Sequence, residues 1–109
     1  MATFFRTKVV KNIGSAAVDV LQTVDNNRFT IIGCNLANTT DEIVTISIFI
    51  TDSSSTTGYY ANNISIAPYN SLKMITNGEK LILAEQCGLR IISDTDNSVD
   101  AVISYAEIV

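Results

Sequence analysis

Between Ile43 and Thr51 the chain reads IVTISIFIT, and this run limits the fold more than any other. Val44, Ile46, Ile48 and Ile50 fall on one side at the two-residue period of a pleated strand. Thr45, Ser47 and Thr51 fall on the other, interrupted by Phe49. Four β-branched side chains on one face suit a buried sheet and disfavour a helix. The same period returns near the C-terminus, where Val99, Ala101, Ile103 and Tyr105 share a face against Asp100, Val102, Ser104 and Ala106. Further strands are predicted at Thr3–Lys11, Val18–Thr23, Phe29–Ala37, Tyr59–Ile66, Leu72–Ile75, Glu79–Ala84 and Leu89–Asp94. Gly14-Ser15, Asp25-Asn26-Asn27, the polar tip 52–58, Pro68 and Asn77-Gly78 separate them. Gly33 marks a bulge or a close backbone approach. The pattern predicts an all-β chain: an antiparallel β-sandwich, jelly-roll-like, of eight or nine short strands. At 109 residues it is read as a single domain spanning 1–109, with residues 1–12 an arm or an edge strand.

Charge decides which partners such a sandwich suits. Charged residues make up 17% of the chain, below the usual share of about 25%. A small domain this poorly charged is expected to bury part of its surface against protein. Residues 1–11 carry +3 and no acid, while the rest carries −7. An acidic body argues against direct nucleic-acid binding, which needs a basic footprint. The basic end holds Phe4, Phe5, Arg6 and Lys8. It is either an ordinary first strand with Phe4 or Phe5 in the core, or a contact reaching an acidic neighbour. No window approaches the roughly 20 apolar residues of a membrane span, so no membrane partner is expected.

Reactive chemistry is absent from the pattern. Without histidine no histidine-based nucleophile exists, and Cys34 and Cys87 sit in or beside apolar strands, read as two half-buried free thiols, with a disulfide between them the unprompted alternative. The five glycines stand scattered at turns, so no phosphate loop forms. Asp94-x-Asp96-x-Ser98-x-Asp100 alternates oxygen ligands. It lacks a calcium loop's glycine and closing glutamate, Val99 and Tyr105 standing there, and reads as an acidic hairpin tip. Asn38-Thr39-Thr40 and Asn63-Ile64-Ser65 match glycosylation acceptors in a chain rich in these residues. Tyr59, Tyr60 and Tyr69 suit either a sugar-stacking surface or a protein interface. No catalytic residue, cofactor or metal is expected.

Whole segments carry a resemblance. ISIAPYNSL at Ile64–Leu72, GEKLIL at Gly78–Leu83, LRIIS at Leu89–Ser93 and SVDAVISYAE at Ser98–Glu107 resemble a group of short virion structural proteins of tailed bacteriophages. The opening Met1–Phe4, the strand Ile31–Asn38 and the strand Ile43–Asp52 fit the same group. Asn70 stands where that group has a turn glycine, and Ala84–Gly88 replaces its Glu-Ala-Gly-Asp turn. The resemblance implies a non-enzymatic β-sandwich of the phage particle: a capsid decoration or cement protein, or a tail or collar component. A receptor- or carbohydrate-binding module using Tyr59, Tyr60 and the 53–58 loop is the alternative. It further implies a homo-oligomer, a trimer by analogy, bound to the major capsid protein or other virion proteins. Assembly in the host cytoplasm follows from the same likeness.

Overall fold

The computed structural model describes residues 2–75 and 80–109. Nine strands are found there: β1 Thr3–Ile13, β2 Val18–Gln22, β3 Arg28–Asn38, β4 Val44–Thr51, β5 Thr57–Ile66, β6 Ser71–Ile75, β7 Leu81–Leu83, β8 Gly88–Ser93 and β9 Val99–Ile108. The Asn77-Gly78 turn and the start of the strand predicted at Glu79 lie outside the described residues.

All pairing is antiparallel. The first sheet runs β1–β9–β3, with β6 and β7 end to end along the far side of β3. The second runs β2–β8–β4–β5. The order follows from one nested ribbon. β4 and β5 form a hairpin, β3 with β6 and β7 encloses it, β2 with β8 comes next, and β1 with β9 closes the outside. Each successive layer of this ribbon joins the opposite sheet, which is jelly-roll connectivity.

This corrects the reading of the Asp94–Asp100 stretch as an acidic hairpin tip. β7 and β9 belong to the first sheet and β8 to the second. Residues 94–98 therefore arch between the sheets and are not a hairpin tip. The acids there are spoken for separately. Asp94 Oδ1 accepts from the Thr45 amide at 3.1 Å, and Asp100 Oδ1 from the Asn12 amide at 3.0 Å. Asp96 Oδ1 accepts from the amide and hydroxyl of Ser15, which hold its carboxyl below the usual range. Three carboxylates bracing three segments do not converge on an ion.

The core lies between the sheets. Val44, Ile46 and Ile48 of β4 and Val99, Ala101, Ile103 and Tyr105 of β9 point into it, as their period requires. Phe29 and Tyr105 pack ring on ring at 4.9 Å. Both cysteines are free and buried in the same cluster, deeper than expected. In other strands the alternation changes phase. β3 buries Phe29 and Ile31, then Cys34 and Leu36, because Ile32 is an extra residue in the ladder to β9. β2 buries both Val20 and Leu21 across its register shift against β8. β5 buries Ala61 and then Ile66, the Asn62-Asn63 step absorbing the change.

Candidate assembly interface

β1 differs from every other strand: Thr3–Asn12 are exposed apart from a half-buried Val10. The cause is coverage. Across the first sheet, Lys8, Ile103, Cys34 and Ile75 form one inward row. Ile103 is fully buried while Lys8 beside it is exposed, so the second sheet roofs β9 and β3 but stops short of β1. Neither Phe4 nor Phe5 enters the core, which corrects the ordinary reading of that strand. Phe4 is 46% and Phe5 79% exposed.

Phe4, Arg6 and Lys8 point to the inward side of β1; Phe5, Thr7 and Val9 point outward. Arg6 Nε donates to Glu107 Oε1 at 2.7 Å, and its guanidinium carbon lies 5.2 Å from the centre of the Phe4 ring. Arg6, with the Asn27 amide beside it, holds the Glu107 carboxyl below the usual carboxylate range. Such an exposed pair orients side chains more than it stabilises the fold. Lys8 makes no ion pair among the described residues.

The outward side of β1 continues across the sheet. Phe5, Ala106, Thr30 and Ile82 form one cross-strand row, and Val9 and Val102 begin another. Phe5, Val9, Ile32, Ile82 and Val102 are all exposed on this face. A dent of about 240 Å³ opens beside Val102, between Gly33, Asn35, Lys73 and Ser104. The side-chain oxygen of Asn35 is buried there without a hydrogen-bond partner among the described residues. This apolar face was not legible in the sequence, because only strand register aligns residues from four strands.

Tyr59 and Tyr60 lie elsewhere, on β5 at the edge of the second sheet. Tyr59 stacks on Phe49 at 4.8 Å, and Phe49 sits opposite Arg90, which pairs with Asp19 at 2.9 Å. The sequence-named contact residues thus form two groups on different sheets. Among the described residues no cluster of histidine, cysteine or carboxylate side chains is arranged to hold a metal.

No family model and no curated protein matches the sequence. Solved structures do match the fold. A chain of the disulfide-linked pili of Bacillus endospore appendages superposes with a TM-score of 0.60 at 8% identity, covering 97% of this chain and 87% of that one. A chain of infectious bursal disease virus, Gx strain, gives 0.56 at 11% identity, covering 97% of this chain and 33% of that one. The Gt strain gives 0.52 at 10% identity, with 97% and 32% covered. This chain thus spans about a third of the viral chains it matches. At these identities the likeness is one of architecture alone: an antiparallel β-sandwich shared with these pilus and virus chains.

Proposed function

We propose that this protein is a non-enzymatic structural subunit of a phage virion, a decoration or cement protein that binds the shell and stabilises it. The observation that carries this is the bare outer face of the first sheet, where Phe5, Val9, Ile32, Ile82 and Val102 are exposed together beside an open strand edge. Several large apolar side chains exposed on one sheet face mark a contact with another protein. The segments Ile64–Leu72 and Ser98–Glu107, which resemble short phage virion proteins, support the same reading. Its partners are other copies of itself and the major capsid protein or another virion protein. Phe4, Phe5, Arg6 and Lys8 are assigned to these contacts. Many copies on a symmetric shell let individually weak contacts add.

Electron cryomicroscopy of the intact particle tests this, with shells lacking the protein heated in parallel. Copies on the shell, and earlier heat disruption without them, are expected. Absence from the particle overturns the reading; copies confined to tail or collar keep the structural class and discard the cement role. The Tyr59–Phe49 stack favours a second reading, a carbohydrate- or receptor-binding face. A glycan screen is expected to be blank, and binding lost in Tyr59→Ala would reverse the choice.

A further inference from the structure

The open edge of β1 has a definite hydrogen-bonding parity. Ala2 and Val109 exchange both backbone hydrogen bonds, each at 2.9 Å. The ladder then runs without a register break from Thr3 opposite Ile108 to Val10 opposite Ala101. In an antiparallel pair such exchanges alternate. Ala2, Phe4, Arg6, Lys8 and Val10 therefore turn their N–H and C=O groups toward β9. Thr3, Phe5, Thr7 and Val9 turn theirs away from the sheet.

From this geometry we infer that β1 pairs antiparallel with β1 of a second copy, about a two-fold axis at Phe5, joining two first sheets into one. The chain's other edges are poor partners. β2 and β6 have five residues each and β7 three. β5 is longer, but its ladder is broken twice. Short and bulged edges protect against strand addition, as do charged side chains, and β1 carries only that last protection, in Arg6 and Lys8. Among the described residues, β1 offers the longest unbroken edge.

Charge and the ladder break after Val10 select the register: an axis at Lys8 sets Lys8 against Lys8, and one at Val9 runs the pairing into that break. Outward residues pair only with outward residues, so the axis must pass through a residue. An axis at Arg6 sets Arg6 against Arg6, and one at Thr7 sets Arg6 against Lys8; directly opposed like charges destabilise a sheet. An axis at Phe4 shortens the overlap to Ala2–Arg6. An axis at Phe5 sets Phe5 on Phe5, Thr3 on Thr7, Ala2 on Lys8 and Phe4 on Arg6. The last pair repeats between copies the guanidinium–ring contact already made within one. Arg6 is balanced by Glu107 in each copy. The two Lys8 side chains end about 20 Å apart, at roughly 3.4 Å per residue. That exceeds a Debye length of about 8 Å at physiological salt. On the outer face Phe5 and the neighbouring Ala106 of the two copies then meet across the join. Self-pairing needs no shell, so this inference and the function proposed above fail separately.

Sedimentation of the purified full chain over a range of micromolar concentrations tests it. Wild type is expected at twice the 11.8 kDa chain mass. Thr7→Pro removes an outward N–H and no bond to β9, as proline at a sheet edge does. It is expected to be folded and monomeric. Phe5→Cys places two thiols at a hydrogen-bonded pair with Cα atoms about 5.5 Å apart, within disulfide reach. Mild oxidation should give a covalent dimer, while Thr3→Cys alone should not. Should Thr7→Pro fail to fold, the two cysteine variants decide the register. A monomeric wild type, a trimer, a dimer indifferent to Thr7→Pro, or cross-linking at Thr3 but not Phe5 overturns the proposal. So does a monomer whose Phe5 and Thr7 amides gain exchange protection only on the particle, which would make the occupant a shell strand.

Discussion

Asn38 is 3% exposed and does the work of several residues at one end of the sandwich. Its side-chain amide donates to the carbonyls of Glu42 at 2.7 Å, Ile66 at 3.1 Å and Ala67 at 3.2 Å. Its side-chain oxygen accepts from the amide and hydroxyl of Thr40 at 2.9 and 2.8 Å. One side chain thereby ties the end of β3 to the entry of β4 and the exit of β5. It is a clamp, which explains an Asn-Thr-Thr sequence without invoking a glycan. Asn38→Ala leaves these carbonyls in a nearly dry site, and unmet polar groups cost about 1–3 kcal/mol each. A loss of about 3 kcal/mol is expected in urea denaturation. Cys34 supplies a second prediction. Burial lifts its thiol from the ordinary 9.0 to about 11. As pH rises the unfolded chain loses this proton first, so its effect is nil below pH 9 and stability falls from there up to about 11. The total is about 3 kcal/mol, since one unit is about 1.4 kcal/mol. Cys34→Ala should lack that alkaline slope when the two unfolding curves are compared.

At the level of strands, the bulges separate what the sequence makes plain from what it hides. Ile31 and Ile32 are neighbours of identical chemistry, yet Ile31 is fully buried and Ile32 is 44% exposed. The two-residue period alone puts them on opposite faces, and the extra residue in β3 against β9 then turns Cys34, not Gly33, back into the core. Ile31→Ala is expected to cost about 3 kcal/mol through lost burial and a residual cavity. Ile32→Ala should stay within about 0.5 kcal/mol, as surface changes do. Thermal denaturation of both variants checks this, and equal losses would mean the faces of β3 are misassigned. β4 and β9 were legible because they keep one phase wherever they face the core. β2, β3 and β5 were legible as strands, Gly33 even marking the bulge in β3, but their inward sets were not, because each changes phase at a shift set by its partner. The candidate interface was half legible for the same reason. Phe4, Phe5, Arg6 and Lys8 stood out by composition, but the row joining Phe5 to Ile82 exists only in the folded register.

For the molecule as a whole, the nested ribbon imposes an order of assembly. β4 and β5 meet through a short connection, Thr51 pairing with Thr57, whereas the outermost pair brings Thr3 to Ile108. Closing a longer loop costs more entropy before any contact is gained. Topologies dominated by distant pairings fold slowly, in milliseconds to seconds. The hairpin is therefore the economical place to begin, with β3, β8 and the remaining strands added outward and β1 last. Substitutions at Ile46 and Ile48, buried in the hairpin and facing β8 as well, should mainly slow folding, with φ-values above about 0.5. Substitution at Ile13, fully buried where β1 meets Val99, should mainly speed unfolding, with φ near zero. Chevron analysis of Ile48→Val and Ile13→Val reads the difference. A high φ at Ile13 with a low one at Ile48 would mean the termini meet first. It would also mean that β1 is committed to β9 before its free edge can seek a second chain. If β1 docks last, the edge opens only on a finished sandwich, and assembly is restricted to folded subunits.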